Sequence, residues 1–445
     1  LIIKHGYLAL PGEKSFLPLD IEIKDGKIIR TGPNLPGKDI LDAEGLVIFP
    51  GAIDPHVHFN DPGYTEREDF IHGSRTAASG GVTTLIDMPC TSVPPVTTLK
   101  NFHKKLDAVK NKSVVDFAFF GGVSGQCFEN DHQKNILELA PYVVGFKTYF
   151  ISGMETFRRL THDQFLQVLK VAKDVNRPVL LHAEDYDTVT RNEAAEREKG
   201  SDWQNFYASR PEESELIAVK NAVNLAQASG GSLHIVHIGT AEAADYLTGK
   251  PFVTGETCPH YLEFSCEDFE DLGSALKTTP VVKSPGNGES LWKHLMSGTV
   301  DFVASDHAPA PASQKNTGSA WTDYSGIPGT GTLFPYMYSE GLIRRKMPLD
   351  RFLKVTSENA ARRYGLFDRK GSIEPGKDAD LILLDPDKTT GIRGKDFYSK
   401  GKITPFEGLI FEGKIMKTLL RGQTIYDADK GITVPPGTGH FLRKG

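Results

Sequence analysis

The run Leu46-Val47-Ile48-Phe49-Pro50-Gly51-Ala52-Ile53-Asp54-Pro55-His56-Val57-His58 decides the fold. Its apolar, β-branched body, bounded by glycine and proline, reads as a buried strand. His56 and His58 stand two apart, so on a strand both imidazoles leave the same face. Two imidazoles at one strand end can close on a single metal ion, because neutral imidazole ligates zinc and its neighbours well. The competing reading is two ordinary histidines in a loop, and the downstream sequence has to decide.

Downstream, strand and helix patterns alternate. Strands are expected at Ala52 to His58, Thr83 to Met88, Val115 to Phe120, Val143 to Phe150, Pro178 to His182, Leu233 to Ile238, Pro251 to Thr257 and Asp301 to Ser305. Helical patterns lie between most of them, for example Glu68 to Ser79, Asp163 to Asp174, Glu213 to Ala228 and Ala241 to Leu247. Eight strands with helical connections fit an α/β protein built on a (β/α)8, TIM-like barrel. A doubly wound open sheet is the alternative, but the nucleotide-binding glycine loop that usually follows its first strand is missing. Gly326-Ile327-Pro328-Gly329-Thr330-Gly331 has no P-loop lysine and reads as a turn near the barrel mouth.

The two ends share a different texture. Ile21-Glu22-Ile23-Lys24 and Lys27-Ile28-Ile29-Arg30 flank Asp25-Gly26, a hairpin signal. Short strand patterns return near Asp378 to Leu384, Phe411 to Ile415 and Thr418 to Arg421. Neither end can bury a core alone, so both termini are expected to meet in one small β-sandwich. The expected division is 1–50 plus 366–445 for the sandwich and 51–365 for the barrel.

In such a barrel the catalytic groups sit at the C-terminal ends of the strands. Ligand-type residues recur there: His56 and His58 on the first strand, Lys147 on the fourth, His182 ending the fifth, His237 on the sixth and Asp306 after the eighth. Each has a duller explanation, such as a hydrogen-bonded histidine or a helix-capping aspartate. The whole series falling at strand ends by chance is a poor alternative to metal binding. Lys147 is costly in an apolar strand unless paired or neutral. Burial lowers its pKa and leaves a nucleophilic amine, which can add carbon dioxide to give a carbamate able to bridge two metals. An ordinary ion pair with Asp or Glu is the other reading.

Composition narrows the classes. The 445 residues are 39% apolar and 24% charged, ordinary for a globular chain. A net charge of −6 without a Lys/Arg-rich run excludes a nucleic-acid footprint. Cys90, Cys127, Cys258 and Cys266 are scattered with no CxxC, against zinc fingers and a disulfide framework and in favour of a reducing cytoplasm. No signal-peptide pattern opens the chain and no apolar run is long enough to span a bilayer, so no membrane association is expected.

Several motifs together resemble the amidohydrolase superfamily, in its cyclic-amidase branch of dihydroorotases, hydantoinases, dihydropyrimidinases and allantoinases. They include Gly51 to His58, Gly145-Phe146-Lys147, Leu181-His182-Ala183-Glu184, His234-Ile235-Val236-His237, Ser305-Asp306-His307-Ala308-Pro309, Ser357-Glu358-Asn359-Ala360-Ala361 and Gly371 to Leu381. The resemblance implies two divalent metal ions, zinc first, with manganese, cobalt or iron also suiting these ligands. His56, His58 and Asp306 would hold one, His182 and His237 the other, and N6-carboxylated Lys147 would bridge them. It implies hydrolysis of a cyclic amide, with Asp306 taking a proton from water and passing it to the leaving nitrogen. A homodimer or homotetramer is implied as well.

The choice of ring rests on finer signals. Dihydroorotases usually place Arg two residues after the second histidine, where it grips the substrate carboxylate; here that position is Asn60. Met88-Pro89-Cys90 also lacks their Asn. Asn60-Asp61-Pro62-Gly63-Tyr64-Thr65-Glu66 and Gly255 to Leu262 are similar to the allantoinase pattern. A neutral ureido-bearing hydantoin suits Asn60 as donor and acceptor. Thr279 is expected to offer its backbone to the ring imide, and Tyr149 either steadies an oxyanion or packs. Pro280-Val281-Val282-Lys283 departs from the family's usual arginine in a loop expected to help line the pocket. A hydantoinase or dihydropyrimidinase is the rival enzyme; a catalytically silent scaffold is the non-enzyme alternative, disfavoured by the complete ligand set.

Overall fold

The computed structural model describes residues 1–444. Eight parallel strands form its centre: β1 (Ala52–Val57), β2 (Val82–Asp87), β3 (Asp116–Phe119), β4 (Phe146–Tyr149), β5 (Val179–His182), β6 (Leu233–Ile235), β7 (Val253–Thr257) and β8 (Phe302–Val303). Strand β3 reaches β4 through Gly121 and Gly122, which pair with Phe146 and Lys147. The ring closes where Val57 bridges His307 in parallel, with the His58 N–H donating to the His307 carbonyl at 2.8 Å. This is the (β/α)8 barrel. Its helices cover the outside, among them α1 (Phe70–Ser79), capped by the Asp69 carboxylate on the His72 N–H, and α2 (Leu99–Val109), capped by Thr98 on the Asn101 N–H.

Several strands are shorter than their apolar patterns. The fourth begins at Phe146 rather than Val143, and the sixth ends at Ile235. The cause is local. His237 and Asp306 have φ of 39° and 48°, so the chain turns off the sheet as it delivers these side chains. Left-handed backbone at non-glycine residues is uncommon and clusters at functional sites.

Strands from both termini build the second domain. Four pair in the order Lys27–Gly32, Asp20–Lys24, Ile2–Lys4, Ile40–Asp42. Seven more run from Gly431–Ile432 through Gln423–Asp427, Ile410–Leu420, Leu381–Gly391, Val47–Pro50 and Tyr7–Leu8 to Leu17–Pro18. Their shared core takes Ile3, Ile21, Ile23 and Ile48 from one end of the chain and Leu381, Leu383 and Leu419 from the other. Asp25 and Gly26 turn the first hairpin at φ 53° and 76°, the paired positive values a tight hairpin needs.

Val47–Pro50 explains why its sequence is apolar without a break. Ile48 points into the sandwich core, whereas Phe49 packs edge-on against Phe334 at 5.3 Å and Phe352 at 5.4 Å on the barrel side. Both faces are covered. A buried charge cluster ties the domains further. Lys370 Nζ sits 2.6 Å from Asp116 on β3, 2.6 Å from Asp380 and 3.0 Å from Asp378. The chain's end departs from the expected division: the Phe117 N–H donates to the His440 carbonyl and the Leu442 N–H to the Phe117 carbonyl, so this tail pairs with the third barrel strand.

Candidate active site

The side chains singled out from sequence converge at the C-terminal mouth of the barrel. His56 lies within β1 and His58 one residue past its end; Lys147 lies in β4, His182 ends β5, and His237 and Asp306 follow β6 and β8. Asp306 Oδ1 is 3.2 Å from Nε2 of both His56 and His58. His182 Nδ1 is 3.0 Å from His237 Nε2. Ligand atoms of His56, His237 and Asp306 all fall within 4.8 Å of one another.

Buried carboxylates orient these rings. His56 Nδ1 donates to Glu256 Oε1 at 2.5 Å, which turns Nε2 inward, where it has no hydrogen-bond partner. His182 Nε2 donates to Glu184 Oε2 at 2.8 Å, and Arg210 holds the same oxygen at 2.7 Å. Carboxylates behind imidazoles fix the tautomer and raise ligand basicity. Neither Glu256 nor Glu184 was singled out for this role from sequence, although Glu184 lies two residues after His182 and Glu256 accepts from the His237 N–H at 3.4 Å. Against its burial, the Arg210 charge, the His182 ring and the Lys283 charge together hold the Glu184 carboxyl far below the usual range. Burial pushes the Glu256 carboxyl up.

Lys147 is fully buried, and its Nζ has no hydrogen-bond partner. Among the described residues no Asp or Glu pairs with it, so the ion-pair reading of this lysine has no partner to invoke. Burial lowers its pKa to about 8. Burial and the Lys147 charge also push His56 well below the usual imidazole range. His237 is depressed by burial, then by His182. His58 differs: against its burial, the Cys90 thiol and the Asp306 carboxylate raise it to about 10. A cation at His58 must therefore displace a proton.

These groups fit a pair of divalent cations. Imidazole nitrogens crowded on one another and on a single carboxylate, with His56 Nε2 and the buried Lys147 amine lacking hydrogen-bond partners, are what such ions require and what a packed core avoids.

A cavity of about 630 Å³ opens over the cluster. Tyr149 and Thr279 line it, as expected; Tyr149 also bonds Cys90 Sγ at 3.0 Å. Asn60 does not. Its φ is 56°, it is fully buried, and its amide donates to the His58 carbonyl at 3.0 Å, which places it in the loop beneath the cavity wall. The loop at 280–283 is likewise off the wall. Lys283 is buried 3.6 Å from Glu215, and the Pro280 carbonyl accepts from the Tyr261 hydroxyl at 2.6 Å. Sequence reasoning missed Arg67, Arg210 and Tyr324, which do line the cavity.

Residues 47–425 match the family model described as the amidohydrolase family. Allantoinase of Rubrobacter xylanophilus is 37% identical over 436 residues, covering 95% of this chain and 94% of its own. Allantoinase of Salmonella newport is 35% identical over 456 residues, with 100% and 98% covered. Among solved structures, the L-hydantoinase (dihydropyrimidinase) of Arthrobacter aurescens superposes with a TM-score of 0.94 at 28% identity over 99% of both chains. The dihydropyrimidinase of Brevibacillus agri superposes with a TM-score of 0.92 at 26% identity, covering 100% of this chain and 98% of its own. The chain therefore belongs to the amidohydrolase family.

Proposed function

We propose that this chain is a metal-dependent hydrolase of cyclic amides that opens allantoin to allantoate. The observation that carries the reading is the convergence of His56, His58, His182, His237 and Asp306 around the buried, partnerless Lys147 amine. His56, His58 and Asp306 would hold one divalent ion, His182 and His237 a second, with Lys147 between them. When bound, the two ions, zinc foremost, would lower the pKa of a water and polarise the ring carbonyl.

The chain's own groups supply the rest. A Lys147 pKa near 8 leaves free amine at neutral pH, and that amine attacks carbon dioxide, forming an N–C bond and releasing one proton. The resulting carbamate turns a cation into an anionic ligand. Asp306 takes a proton from the attacking water as its oxygen bonds to the ring carbonyl carbon. It then delivers that proton to the ring nitrogen as the carbon–nitrogen bond breaks. Tyr149, on the wall 4.9 Å from Lys147 Nζ measured to its ring centre, is placed to donate to the carbonyl oxygen as charge builds there. Thr279 flanks the same space and offers its backbone to the imide.

The full-length allantoinase relatives support allantoin as the ring. A hydantoinase or dihydropyrimidinase activity is the second reading, favoured by the superposition on such enzymes. The test is turnover of allantoin beside hydantoin, dihydrouracil and dihydroorotate by protein loaded with divalent metal in bicarbonate buffer. Allantoin should be opened at least about tenfold faster per kcat/KM than the others. Faster opening of another ring would overturn the allantoin assignment while leaving the metal chemistry in place.

A further inference from the structure

Arg67 lies on the cavity wall and is held there from three sides. Its guanidinium lies over two rings, 4.6 Å from the centre of Tyr64 and 4.5 Å from the centre of Tyr324. Its Nε donates to Gln314 at 2.7 Å. The supports are themselves fixed. Arg67 N–H closes a turn on the Tyr64 carbonyl at 3.0 Å, and Lys400 from the sandwich domain donates to the Thr65 carbonyl. Tyr324 is held by its backbone, since the buried Lys315 ammonium donates to the carbonyls of Tyr324 at 3.1 Å and Gly326 at 2.8 Å.

What this arginine lacks is a carboxylate. Arg210, the other guanidinium on the wall, is occupied by Glu184 at 2.7 Å. Arg67 makes no ion pair among the described residues; its polar partners are Gln314 at Nε and the Tyr324 hydroxyl, both neutral, so the guanidinium charge is not matched by a carboxylate. With two rings packed against it the guanidinium is held in place, and a planar fork of that kind matches an acceptor oxygen or a carboxylate in a fixed orientation. A simple unsubstituted ring amide presents its acceptors to the catalytic cluster and leaves this edge unused.

We propose that Arg67 determines specificity by donating to an acceptor oxygen, ureido carbonyl or carboxylate, on a substituent carried by the substrate ring. The proposal rests on the cyclic-amide reading and adds to it a requirement on the substituent. The arginine thus takes over the recognition that the family resemblance had suggested for Asn60.

Three ligands separate the sources of the acceptor: allantoin with a neutral ureido group, hydantoin-5-acetate with a carboxylate, and hydantoin with neither. Binding is read as Kd for a ring that is not opened and as an inhibition or Michaelis constant for one that is. The native chain should hold allantoin, hydantoin-5-acetate or both about 10- to 100-fold more tightly than hydantoin. Which of the two is preferred identifies the source. Arg67→Met, which keeps an apolar stem against the tyrosines, should erase the preference while leaving the hydantoin constant within about threefold. Arg67→Lys, which keeps charge but not the fork, should lose most of it and serves if the Met variant does not fold. A native chain without preference, or either folded variant retaining it in full, overturns the proposal. Failure of the cyclic-amide reading shows separately, as no ring opened by metal-loaded native protein.

Discussion

Asp54 and Ser305, 251 positions apart in the chain, are joined by two hydrogen bonds: the Ser305 N–H donates to Asp54 Oδ1 at 3.0 Å and the Ser305 hydroxyl to Oδ2 at 2.5 Å. This pair links the first barrel strand to the segment after the last, one residue before Asp306. Ring closure and placement of the carboxylate proposed to carry the proton are therefore one structural event. Asp54→Ala leaves the buried Ser305 N–H without an acceptor and its hydroxyl with only the long 3.4 Å contact to the His56 carbonyl to donate to, and an unpartnered buried group costs about 1–3 kcal/mol. Urea denaturation should show a loss of about 2–4 kcal/mol, with kcat reduced as well. A midpoint unchanged within error would mean the barrel closes without this pair.

Asp306 is assigned the proton, so the isosteric Asp306→Asn should remove turnover without unfolding the chain. General acid–base catalysis by a positioned group contributes about 10²–10⁴-fold, and kcat should fall by at least that much. The thermal midpoint should stay close to native. Rates near native in the Asn variant would remove Asp306 from the proton path.

The cluster around Lys370 predicts an acid limb to stability. Burial pulls the other way, but the Lys370, Lys27 and Arg369 charges hold Asp378 down at about 2, below its ordinary 3.8. A carboxyl lowered on folding stabilises the native state above its unfolded pKa, and that contribution disappears as pH falls through the folded value. Native protein should thus exceed Asp378→Asn in stability at pH 5, and the gap should narrow between about pH 4 and 2. A constant gap across that range would separate the loss from this ionisation.

The barrel was legible because its strands are buried on both faces and so read as apolar runs at regular spacing. Five of the converging groups were legible for a related reason: a strand end is where an apolar pattern stops and a ligand-type residue appears. His237 and Asp306 show the limit. Nothing in their residue types announces φ of 39° and 48°, so the strands carrying them were drawn too long. Asn60 was proposed from its position in the family motif, and residue type and position alone do not announce that at φ 56° its side chain turns under the loop. Arg67 gave no local signal at all. Its role depends on Tyr324, far away in sequence, and on a carboxylate that is missing rather than present.

The account stands most directly on Lys147 as the residue that makes two metal sites out of one cluster. Its Nζ is buried without a partner and its pKa is about 8. Metal content of native protein and of Lys147→Ala, both reconstituted with zinc in bicarbonate and measured by elemental analysis, tests that role without reference to any substrate. The account predicts about two ions per native chain, with loss of both from the alanine variant and recovery when a small carboxylic acid is added in its place. Two ions retained per chain in Lys147→Ala, without any added acid, would contradict it.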